Sequence, residues 1–388
     1  MSLDVTLQTD PEAISSDPTM EARRQIEICN ACRYCEGYCA VFPAITTSKV
    51  FADGDVTQLA NLCHNCRGCY YACQYTEPHA FALNLPAALA TVRAESWERL
   101  AWPAPLARLF QRSGAALAAA LALGFALLLW AVAALPGDGE GFYAHLSHGA
   151  MVAIFTPAFL LPILAVAVAI RRYWREVGGW RPTWRDLREA GLAAGRLRNL
   201  SGGQGQGCNF ERDDRYSDRR RQAHHLVFYG FLLCFASTSS GTILHYVFDR
   251  PAPYGFLSMP KLLGVPGGVM LTIGVVWLLA LKARSDAALG AVGWRGGEYA
   301  WVALLGWTGL SGLLLWAARG SDLLALMLAL HLGAVLALFV LTPYSKMVHG
   351  AFRTAALVRD AQVKRGLPAP PAAIRPGRTG QGIDQGAA

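Results

Sequence analysis

Six apolar stretches restrict this chain to a membrane fold. They cover residues 115–135, 149–170, 226–248, 262–281, 299–316 and 323–341. Each is long enough to cross the roughly 30 Å hydrocarbon layer of a bilayer as a helix. The chain is 53% hydrophobic and only 16% charged, which is too apolar for a soluble protein of several domains. The sequence therefore predicts a mainly α fold that contains a six-helix transmembrane bundle.

Basic residues are distributed unevenly between the segments that join the spans. Segments 171–223, 282–297 and 342–388 carry 13, 3 and 7 Lys plus Arg, whereas loops 136–148, 249–261 and 318–322 carry 0, 2 and 1. Basic segments stay on the cytoplasmic side of a membrane, so we expect both termini in the cytoplasm. The net charge of +8 follows from this topology, and we expect the bilayer, with no nucleic acid, as a partner.

Two cysteine runs precede the first span. Cys29, Cys32, Cys35 and Cys39 are spaced C-x2-C-x2-C-x3-C, and Cys63, Cys66, Cys69 and Cys73 repeat that spacing. In two-cluster ferredoxins, three cysteines of such a run hold one [4Fe-4S] cluster and the fourth reaches the other cluster. We therefore predict a helical ferredoxin-like domain with two clusters. One would be held by Cys29, Cys32, Cys35 and Cys73, and the other by Cys63, Cys66, Cys69 and Cys39.

Zinc is the alternative occupant of these runs, because tetrahedral thiolate sites also use C-x2-C pairs. A zinc ion needs only two such pairs, so the third and fourth cysteine of each run favour iron-sulfur clusters. The ferredoxin run has a proline directly after its last cysteine, whereas Pro43 and Pro78 come four and five residues after theirs. This difference favours a helical arrangement over the small bacterial ferredoxin fold.

Histidines lie at matched depths in the third and sixth spans. His331 and His349 are 18 residues apart, which is five helical turns, so they share one helix face. His224 and His245 lie within roughly 60° of one face of the third span. Because the two spans are antiparallel, we expect His245 to face His331 on the outer side and His224 to face His349 on the cytoplasmic side. Such facing pairs predict one or two b-type haems.

Other histidines remain alternatives for these roles. His225 lies roughly 160° around the helix from His245, so His224 is the preferred inner ligand. His145 and His148, at the outer end of the second span, are rivals for the outer ligand. Interfacial histidines bonded to lipid or backbone are the simplest alternative, but the matched spacing favours haem.

These features divide the chain into four segments. They are a polar N-terminal segment, 1–28; an iron-sulfur domain, 29–112; a haem-binding six-span domain, 113–353, with an Arg-rich cytoplasmic loop, 171–223; and a flexible tail, 354–388. The stretch Ser201–Asn209 is glycine-rich and contains Cys208. Its composition favours a flexible linker over a cradle for a pterin, flavin or phosphate group.

Four stretches resemble the tricarballylate utilization protein B (CitB/TcuB-like) family. They are "CHNCRGCYYAC" in the second cysteine run, the "GGQGQGCN" loop, "HHLVFYGFLLCF" from His224 to Phe235, and "PYSKMVHGAFR" from Pro343 to Arg353. The membrane half of some cobalamin-pathway oxidases is related to this family. The last stretch also resembles the haem-ligating segment of nitrate reductase gamma subunits, which implies His349, and by spacing His331, as ligands.

The resemblance implies an electron-transfer subunit in a bacterial inner membrane. Such a subunit takes electrons from a separate FAD-dependent dehydrogenase on the cytoplasmic side and delivers them to the membrane quinone pool. We find no glycine fingerprint after a predicted strand, so we expect no catalytic residues here and substrate chemistry on the partner. The alternatives are an electron-transfer component of a precorrin-3B synthase-like oxidase and a membrane iron-sulfur redox sensor.

Overall fold

The chain folds into helices joined by short loops. The structure, a computed structural model, describes residues 15–39, 41–133, 145–211 and 214–367. Its helices are α1 (Pro18–Cys32), α2 (Phe42–Ile45), α3 (Asp53–Leu62), α4 (Gly68–Tyr71), α5 (Leu85–Leu100), α6 (Ala104–Ala133), α7 (His148–Glu176), α8 (Trp184–Gly195), α9 (Arg219–Tyr246), α10 (Met259–Arg284), α11 (Arg295–Ala317), α12 (Leu324–Leu341) and α13 (His349–Lys364). The described residues form no strand beyond an isolated bridge between Cys208 and Ser217. The mainly α prediction is confirmed.

Six helices of the described chain are long and apolar enough to cross a membrane. These segments are Ala104–Val132, His148–Glu176, Arg219–Tyr246, Met259–Arg284, Val292–Ala317 and Leu324–Tyr344. The predicted number of spans is therefore confirmed, and the chain is a multi-pass membrane protein. In α6 the backbone of Ser113 leaves helical geometry, with φ −135° and ψ 28°. This kink separates an interfacial first turn from the span proper.

The spans pack in a row with α11 near its middle. Helix α9 lies along α10, and α10 lies along α11. Helix α12 packs against α6, α11 and α7. Small residues allow the closest of these approaches, as is usual between helices in lipid. A Cβ atom added to Gly230 would lie 2.6 Å from the backbone nitrogen of Leu271.

Gly267→Ala is expected to destabilise the bundle. The added methyl group would lie 2.8 Å from Cβ of Leu233 and 3.0 Å from the backbone nitrogen of Cys234. Overpacking of this kind costs about 1–3 kcal/mol, so the thermal unfolding midpoint in detergent should fall by several degrees. Gly124→Ala is the matched control, because its Cβ atom would meet nothing within 4 Å. An equal fall in both variants would contradict the close packing of α9 on α10.

A front domain forms outside the spans from helices distant in sequence. Helices α1, α3 and α5 pack together, and α13 packs against α3, α8 and α7. The shared core includes Ile26 of α1, Leu89 of α5, Tyr173 of α7 and Phe352 of α13, each at most 1% exposed. The front domain is therefore built from both ends of the chain and includes one end of the second span.

Helices α1 and α13 cross two of the predicted segment boundaries. The polar segment 1–28 contains most of α1, whose Ala22 and Ile26 are fully buried. The flexible tail 354–388 begins inside α13, whose Phe352 and Ala356 are also fully buried. Each of these helices buries two residues that lie four positions apart on one face. So short an apolar pattern is not detectable in a sequence segment whose composition is mostly polar. Residues 1–14 and 368–388 lie outside the described chain.

Polar contacts fix the front domain onto the membrane helices. Thr57 of α3 donates a hydrogen bond to Glu176 of α7 over 2.8 Å. Gln58 donates to the backbone carbonyl of Ala356 over 2.8 Å. Helix α3 lies directly before the second cysteine run and begins at Asp53. These contacts hold that run against the start of the bundle.

Candidate metal and cofactor sites

Cysteines of both runs line two neighbouring cavities. One cavity, of about 310 Å³, is lined by Cys39, Cys63, Cys66 and Cys69. The other, of about 270 Å³, is lined by Cys29, Cys35, Cys69 and Cys73. Each cavity therefore takes cysteines from both runs, in the crossed arrangement that the spacing suggests. Cys69 lines both cavities, and Cys32 is exposed.

The thiols influence one another within the same two groups. Burial, and then the neighbouring Cys73 thiol, raises the pKa of Cys29 to about 12. Burial, and then the Cys66 thiol, raises the pKa of Cys39 well above its usual value. Closely packed buried thiols resist ionisation, whereas a coordinating metal deprotonates them. The crossed groups thus have the chemistry of thiolate metal sites.

Backbone geometry repeats between the two runs. Three N–H groups donate to cysteine sulfurs: those of Val41 to Cys39 and Asn65 to Cys63 over 3.4 Å, and that of Tyr75 to Cys73 over 3.3 Å. Arg33 and Arg67, at equivalent positions, both take the left-handed conformation with φ of 57° and 70°. Hydrogen bonds to sulfur stabilise thiolates and influence a cluster's potential. The runs therefore present their sulfurs in similar turns.

Seven cysteines line the two cavities, with Cys69 in both, whereas two [4Fe-4S] clusters take eight thiolates. A structural zinc ion draws its sulfur ligands to about 2.3 Å from one centre. A [4Fe-4S] cluster is larger and takes four thiolates around its faces. Among the described residues, no three His, Cys, Asp or Glu side chains converge on a position for a single ion. The spread of the sulfurs around a cavity fits a cluster.

The glycine-rich loop packs against both cysteine runs. Cys208 is 1% exposed, and its hydrogen bond to Cys66 is the main cause that lowers the pKa of Cys66 to about 6. A Cβ atom added to Gly203 would lie 2.3 Å from the carbonyl oxygen of Gly37. The glycine-rich loop is therefore packed over the cysteines, contrary to the interpretation of Ser201–Asn209 as a flexible linker.

His224 and His349 face each other where α9 meets the start of α13. Their ring centroids are 5.9 Å apart, with the ring planes 74° apart. Two imidazoles bound on opposite sides of one metal ion have centroids about 6 Å apart, because a metal–nitrogen bond is about 2 Å. His349 Nδ1 bonds to the carbonyl oxygen of Lys346, which leaves Nε2 for a ligand. The His224 Nδ1 atom is buried without a partner in the described chain. This pair fits axial ligation of a haem.

His245 and His331, the predicted outer pair, contact different neighbours in the structure. His245 stacks on His148, with centroids 4.4 Å apart, and His331 Nδ1 lies 3.1 Å from Ser311 Oγ. The reason is that α9 lies along α10, whereas α12 packs against α6, α11 and α7. The stacked rings are too close to hold a metal between them, so the outer histidines do not fit a second haem. His225 packs instead on Tyr229.

Sequence reasoning missed the arginines that surround the inner histidine pair. Arg93 and Arg353 donate to the carbonyl oxygen of Cys63 over 2.8 and 3.0 Å. Arg220 donates to the carbonyl oxygen of Asn65 over 2.8 Å. The sequence feature that could have identified Arg220 and Arg353 is their spacing of four residues from His224 and His349.

Comparison with known proteins agrees with these motifs. The family model described as Citrate utilization protein B matches residues 54–370. The chain belongs to the citrate utilization protein B family. It is 40% identical over 360 residues to Citrate utilization protein B of Escherichia coli, which covers 91% of this chain and 94% of that protein. The match confirms the CitB/TcuB-like resemblance. No solved structure matches the chain.

Proposed function

We propose that this member of the citrate utilization protein B family is a membrane electron-transfer subunit. It accepts electrons from a separate FAD-dependent dehydrogenase and passes them to membrane quinone, with two [4Fe-4S] clusters and one b-type haem as carriers. The observation that carries the proposal is the crossed pair of four-cysteine cavities beside His224 and His349. Such groups supply one-electron transfer when bound.

The chain's own residues hold and shield these groups. Helix α3 brings Cys63 against the bundle, and Arg353 of α13 bonds to its carbonyl. Glu298 of α11 pairs with both Lys282 and Lys346. Because the Lys346 carbonyl accepts the His349 Nδ1 hydrogen bond, this ion triad fixes the orientation of the His349 ring.

The exposed turn of the first cysteine run is the proposed docking place for the dehydrogenase. Cys32 is exposed there, and the neighbouring Tyr34 side chain is 62% exposed. Exposed aromatic residues are common at protein interfaces. The name of the Escherichia coli relative refers to citrate use, so we propose a partner that oxidises a tricarboxylate, similar to a tricarballylate dehydrogenase. The cytoplasmic face of a bacterial inner membrane is the proposed location of this domain.

Quinone reduction by the purified protein in vesicles is expected to require the added flavoprotein dehydrogenase and its carboxylic acid substrate. Quinone absorbance provides the readout, and omission of either component should abolish the change. The Cys63→Ala variant should lose turnover because the cavity of Cys39, Cys63, Cys66 and Cys69 then lacks one sulfur. Gly124→Ala serves as the matched control with full turnover. Oxidation of the acid by this chain without the flavoprotein would refute the proposal.

A further inference from the structure

Two helices present the same histidine and arginine pattern toward the second cysteine run. On α9, Arg220 precedes His224 by four residues, and on α13, Arg353 follows His349 by four residues. Side chains four apart lie on one helix face. Since the two histidine rings face each other, the two arginines flank the same space.

Both guanidinium groups lie between the histidine pair and the cysteines. Arg220 donates to the carbonyl oxygen of Asn65 over 2.8 Å, and Arg353 donates to that of Cys63 over 3.0 Å. A guanidinium has five N–H donors, so these contacts leave donors for a ligand. In particular, Arg353 Nε is buried and has no partner in the described chain.

Three arginine side chains lie close together at this place. Arg93 bonds to the same Cys63 carbonyl as Arg353 does. The carboxylate of Glu298 is paired with Lys282 and Lys346. An anionic ligand would relieve the repulsion among these cations.

We propose that Arg220 and Arg353 form a carboxylate-binding pair that takes the two propionate groups of the haem held by His224 and His349. Planar guanidinium groups bind carboxylates in two-point contacts, and a b-type haem carries two carboxylates. A free polycarboxylate has the same chemistry, and the experiment below separates the two sources. The inference rests on the proposed function, because it requires haem at the histidine pair.

The test is an optical redox titration of the purified full-length protein loaded with haem or with haem dimethyl ester, in which both carboxylates are blocked. With native haem, Arg353→Gln and Arg220→Gln should each weaken haem reduction about tenfold, a fall of about 59 mV for one electron. Removal of a cation disfavours the added electron. The ester lacks two negative charges, so its midpoint in the wild type should rise instead. The contact itself is measured by binding titrations of the protein without haem. The wild type should bind the ester about tenfold more weakly than native haem, and Arg353→Gln should weaken binding of native haem by a similar factor but that of the ester little.

Three results would overturn the inference. They are equal affinities of the wild type for native haem and its ester, an undiminished loss of affinity for the ester in Arg353→Gln, and Arg353-dependent binding of citrate by the haem-loaded protein. Arg353→Lys, which keeps the charge, should restore most of the midpoint. The comparison of native haem with its ester in the wild type does not depend on the folding of any variant. A wild-type protein that binds no haem would instead refute the haem part of the proposed function.

Discussion

Cys39→Ala is expected to lower the iron content of the purified protein from about eight atoms per chain to about four. Cys39 belongs to the first run by sequence, yet it lines the cavity of Cys63, Cys66 and Cys69. Loss of one sulfur from that cavity should release one cluster and leave the other. Iron analysis measures the loss, and electron paramagnetic resonance of the reduced protein shows which signal disappears.

Double variants reveal which run each fourth cysteine serves. Cys39 and Cys63 line one cavity, so Cys39→Ala with Cys63→Ala should still retain about four irons. Cys39→Ala with Cys29→Ala should lose nearly all iron, because Cys29 lines the other cavity. If each run instead held its own cluster, these two results would be exchanged.

Cys234→Ala is the matched control for these variants. Cys234 lies on α9 within a span, away from both cavities, and should keep the full iron content. A preparation of the wild type that contains two zinc ions and no iron would end the cluster interpretation. Such a result would favour the zinc alternative, which uses the same C-x2-C pairs.

His349→Ala is expected to remove b-type haem absorbance from the reduced spectrum while leaving the iron-sulfur signals. The His349 ring opposes that of His224 at 5.9 Å, and a bis-histidine site cannot keep its coordination with one ligand. His224→Ala should have the same effect. The pyridine haemochrome assay measures haem per chain, and about one haem is expected in the wild type because only the inner pair has ligand geometry.

His331→Ala and His225→Ala are the controls for the haem prediction. Neither His331 nor His225 belongs to the facing pair of His224 and His349, so both variants should keep full haem content. Loss of haem in His331→Ala together with full haem content in His349→Ala would place the haem site in the outer half of the bundle. That outcome would contradict the inner histidine assignment.

Local patterns in the sequence predicted much of the architecture. The six spans followed from apolar length. The grouping of Cys39 with the second run was predicted from spacing alone, and in the structure these cysteines line one cavity. Such features depend on residues close together in the chain, where helix geometry and ligand spacing are nearly independent of the rest of the protein.

Other features depended on contacts between distant segments. Composition placed residues 354–388 in a tail, yet Phe352 and Ala356 of α13 are buried in the front domain. Likewise, spacing paired His245 with His331, although His245 stacks on His148. Neither the burial of α13 nor the contact of His245 with His148 can be detected from one helix alone. Each depends on which neighbouring helix packs there.

The sequence by itself determined the number of spans and the helical class. Only the tertiary structure decided which histidines meet, and it revealed that Arg220 and Arg353 reach the second cysteine run. The physical reason is that spacing defines the face on which a side chain lies, whereas packing decides what that face meets. Close approach at Gly230 holds α9 on α10, and that contact determines the partners left for its histidines.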